Sequence, residues 1–222
     1  MRLFLDTANV NSVIDRISSG LISGITTNPS LIKKNGKNYL DVYNEFKLLG
    51  ISDLSMEVVG NASQMITQGM NLYKDFGSMT TIKVPCSVDG LKACKDLSAK
   101  GIRVNVTLVF SSSQAVCSAL AGATYVSPFI GRMDDNSLDG IKLINDISNI
   151  YAINNVKTKV LAASIRDAQS VGVAFGVGAD ICTVPPNVFD QLYKHVLTDK
   201  GIAQFEKDNE ESKDFQPAQI RL

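Results

Sequence analysis

The sequence contains a single histidine, His195, and four cysteines that form no Cys-x-x-Cys pair. One histidine excludes a metal site built from several histidines, and a Ser-His-Asp triad would have to use that residue. The scattered cysteines favour a reducing compartment over a disulfide framework, and we expect Cys86, Cys94, Cys117 and Cys182 to be buried or partly buried thiols. Acid–base chemistry must therefore come mainly from carboxylates, lysine or tyrosine.

The chain also lacks a net charge and a long apolar run. Its formal charge is zero and its pI is about 6.6, so we expect no nucleic-acid partner. The segment 1–6 lacks the features of a signal peptide, and no apolar run approaches the length of a membrane span. We therefore expect a cytoplasmic protein that does not bind a membrane.

Short β-branched or apolar runs alternate with longer amphipathic segments along the chain, which is typical of βα units with a parallel sheet. The runs predict eight strands: Leu3–Asp6, Ile22–Thr26, Leu54–Val59, Thr80–Val84, Arg103–Leu108, Tyr125–Pro128, Lys159–Ala163 and Ile181–Val184. No G-x-G-x-x-G phosphate loop follows the first strand, as many doubly wound sheets would show. The pattern predicts an α/β fold, a single-domain (β/α)₈ TIM barrel over residues 1–222.

The segments between the strands predict helices at 41–49, 62–76, 88–99, 112–121 and 140–153. Asn61 and Gln64 form a capping-box pattern at the start of the second, within which Met65 and Met70 are expected in the core. Phe175 to Asp180 is expected to be a helix end and turn before the last strand. Residues 198–222 predict a polar C-terminal helix, with Phe215-Gln216-Pro217 as its irregular end, which packs either on its own barrel or on a neighbouring subunit.

Lys83 stands out because it interrupts the β-branched run Thr80-Thr81-Ile82-Lys83-Val84-Pro85. Burial disfavours an ammonium group, and an available amine lone pair is what Schiff-base formation with a substrate carbonyl requires. The alternative is a strand-edge lysine whose amine extends to solvent.

In a (β/α)₈ barrel the active site lies at the C-terminal ends of the strands. Polar residues at the predicted ends, together with one phenylalanine, are Asp6, Thr26, Asn28, Glu57, Lys83, Asn105, Thr107, Ser127, Phe129, Ser164 and Arg166. Glu57 interrupts a strand that should be buried on both faces, whereas Asp6 has an alternative role as a cap for the following helix.

Two carboxylates around a buried lysine make physical sense as one site, because opposite charges offset each other's desolvation and the carboxylates can transfer protons. Arg132 and Arg166 lie after strands six and seven, where with Ser164 they suit a phosphate group. Taken singly, each arginine is also compatible with a surface ion pair.

At these residues the chain resembles the transaldolase family, specifically its short members, which include fructose-6-phosphate aldolase. The similarity extends over nearly the whole length and follows the family's motif order. The matching strings are Leu5-Asp6-Thr7-Ala8, Gly24-Ile25-Thr26-Thr27-Asn28-Pro29-Ser30, Ile82-Lys83-Val84-Pro85, Asn105-Val106-Thr107-Leu108-Val109-Phe110, Ser127-Pro128-Phe129-Ile130-Gly131-Arg132 and Ala163-Ser164-Ile165-Arg166.

The resemblance implies a role for each site residue. Lys83 would form the Schiff base, Asp6 would transfer the proton during carbon–carbon cleavage, and Glu57 with Thr107 would handle the catalytic water. The substrate-binding set would be Thr26, with Asn28, Asn105 and Ser127 on the dihydroxyacetone portion, Phe129 beside it, and Arg132, Ser164 and Arg166 on the phosphate.

Two positions distinguish the transaldolases from the aldolases in this group. Glu57 and Phe129 match the transaldolase pattern, whereas the fructose-6-phosphate aldolases have glutamine and tyrosine there. We therefore expect a transaldolase of the pentose phosphate pathway that moves a dihydroxyacetone unit from sedoheptulose 7-phosphate or fructose 6-phosphate to glyceraldehyde 3-phosphate or erythrose 4-phosphate. The alternatives are an aldolase that releases free dihydroxyacetone and a non-catalytic sugar-phosphate-binding barrel.

The resemblance also sets expectations for cofactors and partners. No metal or organic cofactor is implied, because a protonated imine withdraws electrons as a metal ion would. Sugar phosphates are the expected substrates, and a homo-oligomer, either a ring or stacked rings, is the expected assembly.

Overall fold

The computed structural model describes residues 1–212, and the structural statements that follow concern this part of the chain. The predicted irregular end at Phe215-Gln216-Pro217 lies outside the described residues.

Eight parallel strands pair in sequence order and close into a barrel, since β1 pairs with both β2 and β8. The strands are β1 Arg2–Asp6, β2 Ile22–Thr26, β3 Leu54–Glu57, β4 Thr80–Pro85, β5 Arg103–Val109, β6 Tyr125–Pro128, β7 Lys159–Ala162 and β8 Ile181–Val184. The predicted (β/α)₈ barrel is confirmed, with every strand boundary within two residues of its expected position.

Helices follow the strands around the outside of the barrel. They are α1 Val10–Ile17, α2 Pro29–Asn35, α3 Tyr39–Leu48, α4 Ala62–Phe76, α5 Val88–Ser98, α6 Ser112–Leu120, α7 Ile130–Asp134, α8 Gly140–Ile153, α9 Ala168–Gly176, α10 Pro186–Phe189 and α11 Val196–Glu211. The predicted capping box is confirmed at α4, where Asn61 Oδ1 accepts from the Gln64 amide at 3.0 Å and Gln64 Oε1 accepts from the Asn61 amide at 2.9 Å. Both bonds satisfy amides that the first turn leaves without intrahelical partners.

The barrel interior is filled from alternate positions of the strands. Phe4 shares a strand face with Asp6, since side chains two residues apart point the same way, and its ring packs inside the barrel. A Cβ at Gly24 on the neighbouring strand would lie 2.7 Å from both the Phe4 ring and the Asp53 carbonyl oxygen. Glycine at position 24 therefore makes room for the ring below the site.

A buried carboxylate closes the N-terminal end of the barrel. Asp53 accepts hydrogen bonds from Thr81 Oγ1 at 2.8 Å, from Tyr125 Oη at 2.6 Å and from Arg2 at 3.1 Å. Arg103 Nη1 lies 3.1 Å from the same carboxylate. A buried charge with this many donors is compensated, so the network ties the starts of five strands together at the end opposite the candidate site.

Three further sequence predictions, two about burial and one about a turn, had different outcomes. Met65 is fully buried as expected, but Met70 is 39% exposed because it lies on the outer face of α4, so its assignment to the core was wrong. The prediction that all four cysteines are at least partly buried fails for Cys117, which is exposed on α6. The expected turn before β8 is confirmed: α9 ends at Gly176, and Gly178 adopts a φ of 104°, which favours glycine.

The C-terminal helix α11 begins after His195, whose Nδ1 accepts from the Leu197 amide at 3.2 Å. None of its residues is buried, and Val196, Leu197, Ile202 and Phe205 are exposed. Within residues 1–212 no helix is both long enough and apolar enough to cross a membrane.

Candidate active site

The candidate site is centred on Lys83, which lies in β4 with 6% of its surface exposed. Its Nζ is 2.9 Å from Glu57 Oε2 and donates to the Thr27 carbonyl oxygen at 3.0 Å. Glu57 and Lys83 are register partners in the β3–β4 pair, so their side chains leave the sheet side by side. The lysine does not extend to solvent, so that alternative is wrong. The buried amine instead faces a carboxylate that is placed to exchange a proton with it.

Asp6, the last residue of β1, provides a second carboxylate. Its Oδ1 accepts a hydrogen bond from Thr26 Oγ1 at 2.8 Å, and the two residues are register partners in the β1–β2 pair. The alternative role of Asp6 as a helix cap is wrong, because Asn9 Oδ1 accepts from the amides of Asn11 and Ser12 at the start of α1. Asp6 is thereby left to face the barrel interior.

The environment raises the pKa of Asp6 above the ordinary aspartate range. Burial is the largest cause, since it penalises the charged carboxylate, and the negative charge of Glu57 acts in the same direction. Lys83 and the hydrogen bond from Thr26 lower the pKa and offset part of this effect. A carboxylate with a raised pKa is a stronger base, which suits removal of a proton from a substrate hydroxyl.

Polar side chains from β5 and β6 line the wall beside Lys83. Ser127 Oγ donates to Asn105 Oδ1 at 2.7 Å, and Asn105 Nδ2 donates to Ser55 Oγ at 3.3 Å. Thr107, two residues beyond Asn105 on the same face of β5, has a buried hydroxyl without a hydrogen-bond partner among the described residues. A buried, unpartnered hydroxyl at this position suits a bound water or a substrate oxygen.

The segment after β2 turns at once into a helix that borders the site. Asn28 Oδ1 accepts from the Leu31 amide at 2.9 Å and caps α2, and Pro29 occupies the first helical position, where its fixed φ is favourable. The cap anchors Asn28 at the rim of the cavity that contains Lys83.

An aromatic and cationic pair follows β6. The Arg132 guanidinium carbon lies 5.0 Å from the centre of the Phe129 ring, and this ring packs edge-on against Phe110 at 5.8 Å between centroids. Phe129 therefore presents a ring without a hydroxyl beside the site, and its packing orients the Arg132 guanidinium.

Arg166, the second arginine of the predicted phosphate site, forms an ion pair with Asp135. Both guanidinium nitrogens Nη1 and Nη2 of Arg166 donate to the carboxylate of Asp135, and Arg166 lowers the pKa of that carboxyl group. Ser164 adopts a φ of 60°, which lies in a backbone region that residues other than glycine seldom occupy. A Cβ at Gly131 would lie 2.3 Å from the Ser164 carbonyl oxygen and 2.8 Å from Arg166 Nε, so glycine is required where these segments meet.

The residues converge on a cavity of about 140 Å³ at the C-terminal ends of the strands. Ten of the predicted site residues line it: Asp6, Thr26, Asn28, Lys83, Asn105, Thr107, Ser127, Phe129, Arg132 and Ser164. Glu57 contacts Lys83 and borders a neighbouring cavity of about 580 Å³ between α2, α3 and α4. Arg166 does not line the smaller cavity and faces Asp135.

The sequence reasoning missed two residues near the site. Thr183 in β8 lines the cavity, and its Oγ1 lies 2.7 Å from Thr26 Oγ1. The available signal was a polar residue in the apolar run Ile181-Cys182-Thr183-Val184. Asp135, the partner of Arg166, follows the short helix α7, where an exposed acid carries no signal.

A closed (β/α)₈ barrel whose buried, strand-borne lysine contacts one carboxylate and shares a cavity with a second defines the class of lysine-centred aldolase-type enzymes. A family model described as Transaldolase/Fructose-6-phosphate aldolase matches residues 3–220. The chain belongs to this family.

Similar curated proteins cover almost the full chain. A protein named "Probable transaldolase" from Moorella thermoacetica is 48% identical over 214 residues, which is 96% of this chain and 99% of the relative. Proteins of the same name from Nitrosopumilus maritimus and Symbiobacterium thermophilum are 47% and 45% identical, over 98% and 96% of this chain and 98% and 99% of the relatives. These findings confirm the expected family and the expectation of a transaldolase-type enzyme.

Proposed function

We propose that the protein is a transaldolase that carries a dihydroxyacetone unit on Lys83 from a ketose phosphate to an aldose phosphate. The observation that carries this proposal is the 2.9 Å contact between Lys83 Nζ and Glu57, inside a barrel whose site also holds Asp6. Sedoheptulose 7-phosphate and fructose 6-phosphate are the proposed donors. Erythrose 4-phosphate and glyceraldehyde 3-phosphate are the proposed acceptors.

The first step forms a carbon–nitrogen bond between Lys83 Nζ and C2 of the ketose. Starting from the Lys83–Glu57 ion pair, two protons pass from Nζ to the C2 oxygen with Glu57 as their carrier. Water then leaves, and the iminium ion keeps the third proton on Nζ. The buried hydroxyl of Thr107, unpartnered within residues 1–212, supports a role in holding that water. Hydrolysis at the end of the cycle reverses these steps.

The second step breaks the bond between C3 and C4. Asp6 takes the proton of the C4 hydroxyl, C4 becomes the aldehyde of the departing aldose phosphate, and the bond electrons move to the iminium to give an enamine on Lys83. The enamine carbon then attacks the acceptor aldehyde, and Asp6 returns its proton to the new hydroxyl. The raised pKa of Asp6 supports this role as base and acid.

We propose that different residues bind the two ends of the substrate. Asn28, Asn105 and Ser127 bind the hydroxyls of the dihydroxyacetone portion, and Thr26 supports the C4 end through Asp6. Arg132, Ser164 and Arg166 bind the phosphate. Because Arg166 is paired with Asp135 in the structure, phosphate binding requires this exposed ion pair to exchange one anion for another.

Glu57 and Phe129 favour transfer over release of the three-carbon unit. A tyrosine hydroxyl next to the enamine would assist its protonation and free dihydroxyacetone, whereas the ring of Phe129 has no proton to give. Packing against Phe110 and Arg132 holds this ring beside the cavity. The covalent intermediate is therefore retained until an aldehyde arrives.

The test is donor consumption with and without an acceptor. With fructose 6-phosphate and erythrose 4-phosphate, we expect stoichiometric appearance of sedoheptulose 7-phosphate and glyceraldehyde 3-phosphate. With the donor alone, we expect slow consumption and little free dihydroxyacetone. Equal rates of dihydroxyacetone release with and without acceptor would identify the protein as an aldolase.

We also propose that the protein is a homo-oligomer, a ring or stacked rings, in which α11 packs on a second copy. The support is a 16-residue helix that buries none of its residues on its own barrel and exposes Ile202 and Phe205 on one face. Light scattering of the full chain and of a chain ending at His195 tests this. An unchanged subunit number after truncation would contradict the role of α11.

Action in the cytoplasm is a further proposal. It is supported by the four free cysteines, of which Cys94 and Cys182 have their pKa raised to about 12 by burial and are therefore unreactive thiols. Fractionation of expressing cells, followed by detection of the protein in each fraction, tests the location. Recovery in a fraction other than the cytoplasm would contradict it.

A further inference from the structure

A chain of two buried hydroxyls leads from β8 to Asp6. Thr183 Oγ1 lies 2.7 Å from Thr26 Oγ1, and Thr26 Oγ1 lies 2.8 Å from Asp6 Oδ1. Thr183 and Thr26 are 3% and 2% exposed, so bulk water does not compete for the bond between these two hydroxyls. The three residues belong to three strands that become neighbours when the barrel closes.

The number of protons fixes the direction of this chain. An ionised carboxylate can only accept hydrogen bonds, so the single hydroxyl proton of Thr26 is directed at Asp6. In the contact between the two threonines the proton must then come from Thr183, and Thr26 accepts it. A hydroxyl that accepts a hydrogen bond becomes a stronger donor, because bonds in a chain polarise one another.

We propose that Thr183 is a positioning residue that acts on Asp6 through Thr26. By donating to Thr26 it holds the Thr26 hydroxyl in the orientation that stabilises the Asp6 carboxylate, the form that takes the C4 proton. The inference rests on the proposed function, because it assigns a consequence to the role of Asp6 as base. Thr183 is not a catalytic residue in this account, since it acts through Thr26.

Other charged groups around Asp6 come from different elements and are separate from this chain. Lys83 on β4 and Glu57 on β3 act on its charge, Arg132 on α7 lines the same cavity, and Lys34 on α2 lines an adjoining cavity that Asp6 also borders. Removing the hydroxyl of Thr183 leaves all four in place. A change in the titration of Asp6 in such a variant is therefore attributable to the hydroxyl chain.

The experiment compares the pH dependence of kcat/KM for wild type, Thr183→Val and Thr183→Ser. Valine has nearly the shape of threonine without the hydroxyl, and serine restores the hydroxyl alone. We expect the acid limb of the Thr183→Val profile to move up by roughly 0.3 to 0.5 pH units, so that activity is lost mainly at low pH. The Thr183→Ser profile is expected to coincide with that of wild type.

The matched control is Thr80→Val. Thr80 is also buried in a strand, but it lies at the start of β4 and its hydroxyl donates to the Leu72 carbonyl oxygen at 3.4 Å. It should leave the acid limb unchanged. If Thr183→Val does not fold, Thr183→Ala and Thr183→Ser give the same comparison, because both lack the methyl group and differ only in the hydroxyl.

Three results would overturn the inference: an acid limb that does not move in Thr183→Val, an equal loss of activity at every pH, or a serine variant that shifts like valine. The second would indicate direct contact with substrate, and the third would show that retaining the hydroxyl does not preserve the wild-type acid limb. Trapping of the wild-type imine with borohydride distinguishes a failure of the role of Thr183 from a failure of the proposed function. Trapping with unshifted profiles contradicts the role of Thr183 alone, whereas no trapping contradicts the proposed function and this inference with it.

Discussion

Lys83 Nζ and Glu57 Oε2 lie 2.9 Å apart as register partners on adjacent strands of the closed barrel. Their separation is set by sheet hydrogen bonds at the ends of β3 and β4. The side chains are 7% and 16% exposed, so little water intervenes in the exchange of a proton between them. A rigid sheet thus positions the amine of Lys83 and the carboxylate of Glu57 that exchanges a proton with it.

The first prediction concerns Glu57→Gln, which keeps the shape and hydrogen-bonding capacity of the side chain but removes its basicity. We expect kcat to fall by about 10²- to 10⁴-fold, because imine formation and hydrolysis lose their proton carrier. The time course of borohydride-trapped adduct measures the imine step directly. The control is Glu45→Gln, whose carboxylate pairs with Lys37 on the surface. An unchanged rate of adduct formation in Glu57→Gln would contradict the assignment.

The second prediction separates imine formation from carbon–carbon cleavage. Asp6→Asn retains Lys83 and Glu57 but cannot take the C4 proton, so the iminium ion should form and remain uncleaved. After borohydride reduction with fructose 6-phosphate, mass spectrometry should show the intact six-carbon adduct in place of the three-carbon one. The exposed Asp89→Asn variant is the control. A three-carbon adduct formed at the wild-type rate in Asp6→Asn would assign the proton transfer to another group.

The third prediction concerns stability and pH. Because the pKa of Asp6 is raised in the folded state, the folded protein binds this proton more tightly than the unfolded chain. Its contribution favours folding below the ordinary aspartate pKa and is lost as the pH rises through the raised value. Asp6→Asn should therefore increase the free energy of unfolding at neutral pH, with the gain disappearing toward acidic pH. Urea unfolding across this range measures it, and a variant destabilised most at neutral pH would show the opposite sign.

The fourth prediction concerns the anion exchange at Arg166. Arg166→Gln should raise KM for a phosphorylated donor by about tenfold, because one charge-assisted contact to the phosphate is lost. Asp135→Asn should lower the same KM by about twofold to threefold, since it removes a competing anion from an exposed pair. Steady-state kinetics with fructose 6-phosphate and free fructose distinguishes phosphate recognition from general damage. Equal effects on both sugars would contradict a phosphate role for Arg166.

The sequence predicted the fold well because buried parallel strands produce short β-branched runs whose ends are easily located. Lys83 and Glu57 were visible for the same reason, since a charge inside such a run is energetically out of place. The capping box at Asn61 depends on residues three apart and was equally legible. All of these features depend on residues that lie close together in the chain, so they can be recognised in a single sequence.

The features that the sequence did not reveal depend on closure of the barrel or on exposure. Threonine is ordinary in a strand, so Thr183 gained meaning only when β8 met β1 and placed it beside Thr26. The pairing of Asp135 with Arg166 could not be predicted, because an acidic residue after a short helix is usually exposed to solvent without a partner. The sequence could not decide whether Asp6 caps α1, because only the structure shows that Asn9 occupies the cap position. Met70 and Cys117 are exposed because of how their helices are oriented on the barrel, which the sequence does not specify.

The most direct test of the central claim is reductive trapping followed by peptide mapping. Wild-type protein is incubated with fructose 6-phosphate, reduced with borohydride and digested, with Lys83→Met and the exposed Lys92→Met treated in parallel. The account predicts a three-carbon adduct on Lys83 in wild type and in Lys92→Met, and neither adduct nor turnover in Lys83→Met. An adduct on another lysine, or turnover that persists without Lys83, would contradict it.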